Sequence, residues 1–210
     1  MSDTKKGSGR RGYHHGNLRA ALIEAALSLI SEKGPAGFTF AEAARAAGVS
    51  PAAPYRHFRD RDALMANVAT QGFVAFGDAL ERAWDNGKPS ARAAFDRTGR
   101  AYLAFARQHP AYFSAMFESG VAASEHAEFR EAGDRAFGIL RTACEGVIAT
   151  VQTGRRPPAL MMALHIWSLS HGIAALFARG DDARRPIPMT PEDLLEAAVL
   201  IYLDGIGADG

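Results

Sequence analysis

The sequence predicts an all-α protein made of a small N-terminal helical unit followed by a larger helical bundle. Three observations carry that prediction. The chain is rich in Ala, Leu, Arg and Glu and has few runs in which Val, Ile or Thr alternate with polar residues, so strands have little support. Apolar residues recur at helical spacing over most of its length. Gly, Pro and Ser/Thr/Asp caps then divide it into segments of ordinary helix length. At 210 residues the chain is long enough to bury a sizeable core.

Residues 1–11 are rich in Gly, Ser, Lys and Arg without apolar periodicity and are expected to be disordered in the free protein. Asn17 suits an N-cap, and Leu18, Leu22, Ala25, Ala26, Leu29 and Ile30 predict a first helix to about Glu32, stopped by Gly34-Pro35. Thr39 and Glu42 have the spacing of a capping box for a second, alanine-rich helix over residues 41–47. Gly48 supplies the left-handed residue that ends it. Ser50 and Pro51 repeat a helix-start signal. Pro54 removes a donor and is expected to push Ala53 out of α geometry, which makes the third helix short or irregular. Phe38, Phe40 and Phe58 are read as core.

Asp60 can cap a fourth helix whose Leu64, Val68, Phe73, Phe76 and Leu80 share one face, and which leads out of the small unit. A loop at residues 86–89 precedes a helix over residues 94–107 containing Phe95, Tyr102, Leu103 and Phe105. His109-Pro110 breaks the pattern, and Tyr112, Phe113, Met116 and Phe117 resume it. After a polar connection at residues 118–125, residues 129–151 read as helix and residues 154–158 as a basic, Pro-rich turn. The two most apolar helices come last: residues 159–178, then one opened by the cap, proline and acidic first turn of Thr190-Pro191-Glu192-Asp193.

The net charge of +1 conceals an asymmetry. Residues 1–62 hold ten Lys and Arg against six Asp and Glu, whereas the remainder holds fourteen against seventeen. A basic front and an acidic rear suit a chain that sets one end on a polyanion. The order helix, tight turn, short helix with exposed aromatic and basic residues is how a protein presents side chains to the DNA major groove. On that reading Ser50, Pro51, Ala52, Ala53, Tyr55, Arg56 and His57 contact DNA, with hydroxyls and the helix start on phosphates and the exposed face on base edges. Lys5, Lys6, Arg10 and Arg11 are equally a minor-groove arm or a solvated tail.

Other classes have weaker support. A lone Cys144 excludes an intramolecular disulfide framework, and residues 1–12 lack the apolar centre of a signal peptide, so a cytoplasmic location is expected. His165, Ser168, Ser170, His171 and Gly172 interrupt residues 159–178, which favours a buried helix over a membrane span. The two Gly-x-Gly-x-x-Gly matches, at residues 7–12 and 205–210, lie in tails outside any βαβ unit. No metal-ligand spacing, Walker loop or catalytic constellation was found, so no catalytic residue, metal or cofactor is assigned.

The stretch from Tyr13 to Phe76 resembles the DNA-binding domain of the tetracycline-repressor (TetR) family of bacterial regulators. The resemblance rests on Tyr13-His14-His15-Gly16-Asn17-Leu18-Arg19, Phe38-Thr39, Ala46-Ala47-Gly48-Val49-Ser50, and Tyr55-Arg56-His57-Phe58 followed by Leu64. Pro54 stands where the family usually has leucine, and Arg61 where it has lysine. The resemblance adds Thr39 and Arg61 to the DNA-contacting set, Arg61 keeping a charge that touches phosphate in the family. Ile166-Trp167-Ser168-Leu169-Ser170-His171-Gly172 and the upstream His109-Pro110-Ala111-Tyr112-Phe113 resemble the subclass whose second domain is named for a Trp-His-Gly signature.

These resemblances imply a helix-turn-helix DNA-binding domain at residues 13–76 and a ligand-binding, dimerising domain at residues 77–206. They imply a homodimer paired through its last two helices on a palindromic double-stranded operator, acting as a repressor released by a small-molecule effector. Trp167 and His171 are four residues apart and could line an effector pocket with Phe105, Tyr112, Met116 and Phe117. For His171 the favoured reading is structural, a hydrogen bond to a neighbouring helix. Leu194, Leu195, Ala198, Ile201, Tyr202 and Ile206 exceed one narrow face, and with Ala174, Ala175 and Ala178 suggest a close-packed partner. The alternative is a helical-bundle carrier or enzyme that keeps a helix-turn-helix as scaffold.

Overall fold

The computed structural model describes residues 18–152, 155–178 and 188–207. The Asn17 cap, the basic arm, residues 153–154 of the basic turn and residues 179–187 of the last loop lie outside them. Among the described residues there are eight α-helices and no strand: α1 (Leu18–Lys33), α2 (Phe40–Ala46), α3 (Arg61–Trp84), α4 (Ala91–Gln108), α5 (Pro110–Glu118), α6 (Ala127–Ile148), α7 (Ala159–Ala178) and α8 (Pro191–Ile206).

The predicted signals set most boundaries. Gly34 takes a φ of +77° and its N–H reaches the Ile30 carbonyl at 2.9 Å, closing α1. Thr39 and Glu42 form both halves of the capping box on α2. Gly48, at φ +73°, donates to Arg45 O, and Val49 to Ala44 O, each at 3.0 Å. That pair of bonds is a Schellman motif, which satisfies the last carbonyls of α2. Asp60 caps α3 through the Ala63 N–H at 2.8 Å, and Thr190 caps α8 in a second capping box with Asp193. Ser90 caps α4, which therefore starts three residues before the apolar pattern suggests.

The third element of the small unit is a single 3-10 turn, Pro54–Arg56. Its brevity agrees with the effect expected of Pro54. The expected displacement of Ala53 does not occur: it sits at φ −64°, ψ −39° in the right-handed helical region. Steric pressure from a following proline disfavours that region without forbidding it, and here Pro54 is fully buried and accepts from both His57 and Phe58 N–H.

The 24-residue α3 is the axis of the molecule. Its first turns pack on α1, and its length then runs against α4, α5 and α6, with α7 and α8 completing the bundle behind α4 and α6. Leu64, Val68, Phe73, Phe76 and Leu80 are all buried, as is Phe58. One continuous apolar cluster runs from Leu22 in α1 to Leu203 in α8. Arg156 donates to the Val151 and Ala149 carbonyls, closing the end of α6 and keeping Val151 in the core beyond the helix.

Candidate nucleic-acid interface and bundle interior

The turn between α2 and α3 places Ser50, Pro51, Ala52, Tyr55, Arg56 and His57 on the surface, with Ala53 half-buried and Pro54 and Phe58 inside. Of the exposed side chains, Tyr55 is held from below. Tyr55 is 63 % exposed, yet its ring meets Phe40 edge-on at 5.1 Å between centroids. Phe40, read as core, is half-buried and serves as that support. An aromatic fixed at its base and open above spends little conformational entropy on meeting a ligand. Arg56 and, in the last turn of α2, Arg45 are exposed and make no ion pair among the described residues. Arg45 was not singled out in the sequence, although a basic residue one turn before Gly48 was visible there.

Thr39, which is exposed, and Arg61, which is half-buried, are each engaged in a local hydrogen-bond network. The Thr39 hydroxyl donates to Glu42 Oε2 at 3.0 Å, while Glu42 Oε1 takes a 2.8 Å bond from Lys33 Nζ. Arg61 Nε donates to the Phe38 carbonyl at 2.9 Å, Nη2 bonds the Pro35 carbonyl, and the guanidinium lies 4.8 Å from the Phe38 ring centroid. Arg61 thus ties α3 to the loop before α2. A phosphate contact would have to share a guanidinium already committed to two protein carbonyls.

Inside the bundle, Phe105, Phe117, Trp167 and His171 come together around Phe76, Tyr102 and Phe113. His171 Nδ1 lies 3.1 Å from the Tyr102 hydroxyl, and its ring is stacked on Phe113 at 5.3 Å and edge-on to Phe117 at 4.7 Å. Trp167 meets Tyr102 at 5.5 Å and Phe137 at 5.6 Å. Burial lowers the His171 pKa and raises that of Tyr102, so a neutral imidazole faces a neutral phenol. Met116 and Tyr112 pack beside Gly72, where a Cβ would come within 2.8 Å of Met116 Sδ. These side chains touch one another as a packed aromatic cluster.

A cleft in the described bundle lies one layer away, between α4, α7 and α8. Its walls include Leu80, Phe95, Leu140, Ile166, Leu195 and Val199, with Thr98, Tyr102 and Ser170 inside and Asp96, Arg100, Glu192 and Glu196 at the mouth. Only Tyr102 joins it to the aromatic cluster. None of its lining residues was proposed from sequence, because it depends on how α8 lies across α4.

The outer surfaces of α7 and α8 remain apolar. Leu160, Met161, Leu164 and Leu176 on α7 and Leu200 and Ile201 on α8 are exposed, Ile201 to 74 %. Between them Ser168, Gly172 and Ala175 form a small-residue strip on α7. Ala174, expected with Ala175 and Ala178 to let a partner approach, points inward and is buried, whereas Ala175 and Ala178 are exposed. Among the described residues α7 is the one helix long and apolar enough to cross a membrane by length and composition, with a third of its apolar window buried here. No cluster of metal-binding side chains is present among the described residues.

Comparison with known proteins gives two domain matches. Residues 22–68 match the domain described as bacterial regulatory proteins, tetR family, and residues 95–201 the domain described as tetracyclin repressor-like, C-terminal domain. Among solved structures, a Rhodococcus sp. RHA1 protein of unknown function is 33 % identical, with a TM-score of 0.75 over 93 % of this chain and 98 % of that one. The TetR family transcriptional regulator PfmR from Thermus thermophilus is 20 % identical, with a TM-score of 0.68 over 88 % of this chain and 97 % of its own. A bacterial regulatory protein in the tetR family from Rhodococcus RHA1 is 18 % identical, with a TM-score of 0.72 over 93 % and 100 %. The last two likenesses concern the fold alone. No curated protein matches the sequence.

Proposed function

The chain belongs to the TetR family of bacterial regulatory proteins, and from that membership we propose that it is a homodimeric repressor of transcription that leaves a palindromic operator when a small molecule binds. The observation that carries the proposal is the surface at residues 50–57: Tyr55, Arg56 and His57 stand exposed on a 3-10 turn braced by Pro54, Phe58 and Phe40. An aromatic braced from below beside exposed Arg56 and His57 fits a DNA groove. Ser50, Pro51, Ala52 and Ala53 would lie along the same groove, and Thr39, Arg61 and Arg45 near the flanking phosphates.

Residues 13–76 would form the DNA head and residues 77–206 the effector-binding and dimerising part, with α3 shared between them. The apolar outer faces of α7 and α8 supply the surface for the second subunit. Two heads so paired would reach successive major grooves about 34–36 Å apart. Trp167, His171 and Gly172 support placement in the Trp-His-Gly subclass, where the Tyr102–His171 bond gives the histidine a structural role. Such a regulator works in the cytoplasm, with DNA and a metabolite-sized effector as its partners.

Binding of the full chain to its palindromic site, measured by fluorescence anisotropy at fixed salt, tests the interface. Tyr55→Ala and Arg56→Ala are each expected to weaken binding by about 1–3 kcal/mol if they meet base edges. Unchanged affinity in both variants would remove this corner from the interface. A steep fall of log K with log salt is expected of the parent chain.

A further inference from the structure

We propose that the cleft between α4, α7 and α8 is the effector site, and that it takes an uncharged, mainly apolar molecule with one hydrogen-bonding group, which gains access by parting α8 from α4. This deepens the regulatory reading and rests on it. The walls are aliphatic and aromatic, and the polar atoms within are hydroxyls. Ser170 is 2 % exposed, lines the cleft, and has no side-chain hydrogen bond among the described residues. Thr98 donates to the Ala94 carbonyl at 2.9 Å and Tyr102 pairs with His171, so each is already partnered. Ser170 is therefore the group with a hydrogen bond to offer a guest, and an uncharged acceptor or donor suits it.

Charge at the mouth is balanced internally. Asp96 pairs with Arg92 at 3.1 Å, Glu196 with Arg100 at 3.2 Å, and Glu192 with Arg107 at 2.6 Å. Among the described residues no unpaired counter-ion waits in the cleft for a ligand's charge, and an ionic headgroup drawn inside would lose its hydration without replacement.

Size then dictates how the guest arrives. The cleft measures about 540 Å³, a figure that includes open solvent at its mouth, and between its walls there is room for a water or two and not for an effector. The walls must therefore separate. The weakest wall is the α4–α8 seam. A Cβ at Gly99 would lie 3.1 Å from Leu195 Cδ2, so the helices meet closely there, and two ion pairs span the seam: Arg100–Glu196, 62 % exposed on both sides, and Arg107–Glu192, 59 % and 33 % exposed. Exposed pairs yield readily. Because α8 also carries Leu200 and Ile201 outward, lifting it shifts the surface offered to a second copy.

The test uses the full-length protein without DNA and three probes of equal chain length: 1-octanol, octanoate and octylammonium. Ligand-observed NMR titration is expected to show saturable binding of 1-octanol, with both ions about tenfold weaker or worse. Ser170→Ala should weaken 1-octanol about fivefold, the loss of one ordinary hydrogen bond. Val199→Phe, which fills the cleft, should abolish it with circular dichroism unchanged. Equal or tighter binding of either ion overturns the polarity; octanol binding untouched by Ser170→Ala overturns the location; absence of octanol binding overturns both. A chain that binds octanol in the cleft yet ignores every palindrome keeps the site and loses the regulatory reading, so the two fail separately.

Discussion

Arg61 illustrates how far a single side chain can depart from the role its position suggests. In the sequence it is a positive charge just before a helix face, hence a phosphate ligand by resemblance. In the fold its guanidinium joins the carbonyls of Pro35 and Phe38, 26 and 23 residues away, and only 24 % of the side chain is exposed. Nothing local announces such partners. Gly48 is the opposite case: its left-handed conformation follows from a residue without a Cβ directly after an alanine-rich helix, and was legible at once. Two expectations separate clamp from charge. Arg61→Lys keeps the charge but loses the planar fork, and urea unfolding should show a loss of about 1–3 kcal/mol. If lysine leaves stability unchanged while Arg61→Met weakens DNA binding, the phosphate role outweighs the clamp.

At the scale of elements, α2 shows what caps contribute to a helix of seven residues, too short to persist alone. Its start is fastened by Thr39 and Glu42, and Glu42 is held in turn by Lys33 from the end of α1. The Lys33 hydrogen bond, then the Thr39 backbone and hydroxyl, lower the Glu42 pKa from 4.5 to about 2. A carboxyl lowered on folding stabilises the native state above its unfolded value, and that contribution is lost as pH falls from about 4.5 through about 2. Urea midpoints of the parent chain should therefore drop across this interval more steeply than those of Glu42→Gln; parallel curves would show that the box carries no pH dependence. Thr39→Ala should cost about 1 kcal/mol at neutral pH. The capping box was legible because its spacing is local. The effect of Pro54 on length was legible too, but the helical φ and ψ of Ala53 were not, since they are decided by burying Pro54 against the core.

For the whole molecule the question is which apolar surfaces face inward and which meet another copy. An all-round apolar α7 answers neither, because helical periodicity reports direction only when one face is polar. Only the packing of α4, α6 and α8 around it separates Ile166, Ser170 and Ile173 inside from Leu160, Leu164 and Leu176 outside. Phe105, Phe117, Trp167 and His171 were grouped from sequence, whereas Phe76, Tyr102 and Phe113 at the centre of their cluster, and the cleft beside it, depend on tertiary placement that no motif encodes. If the outer face is the subunit contact, a charge at Leu164 or Ile201 touches nothing in its own core, being 51 % and 74 % exposed. Leu164→Arg with Ile201→Glu on the same chain should then leave helix content unaltered and convert the protein to a monomer in sedimentation. A monomer contacts one half-site, and loss of the tethered second contact should cost about a hundredfold or more in affinity for the full palindrome. The same substitutions should leave half-site binding nearly intact, because Tyr55 and Arg56 lie on a separate surface of the head. A variant that stays dimeric would place the contact elsewhere; a monomer that binds the palindrome as tightly as the parent would show that spacing between two heads does not govern this regulator.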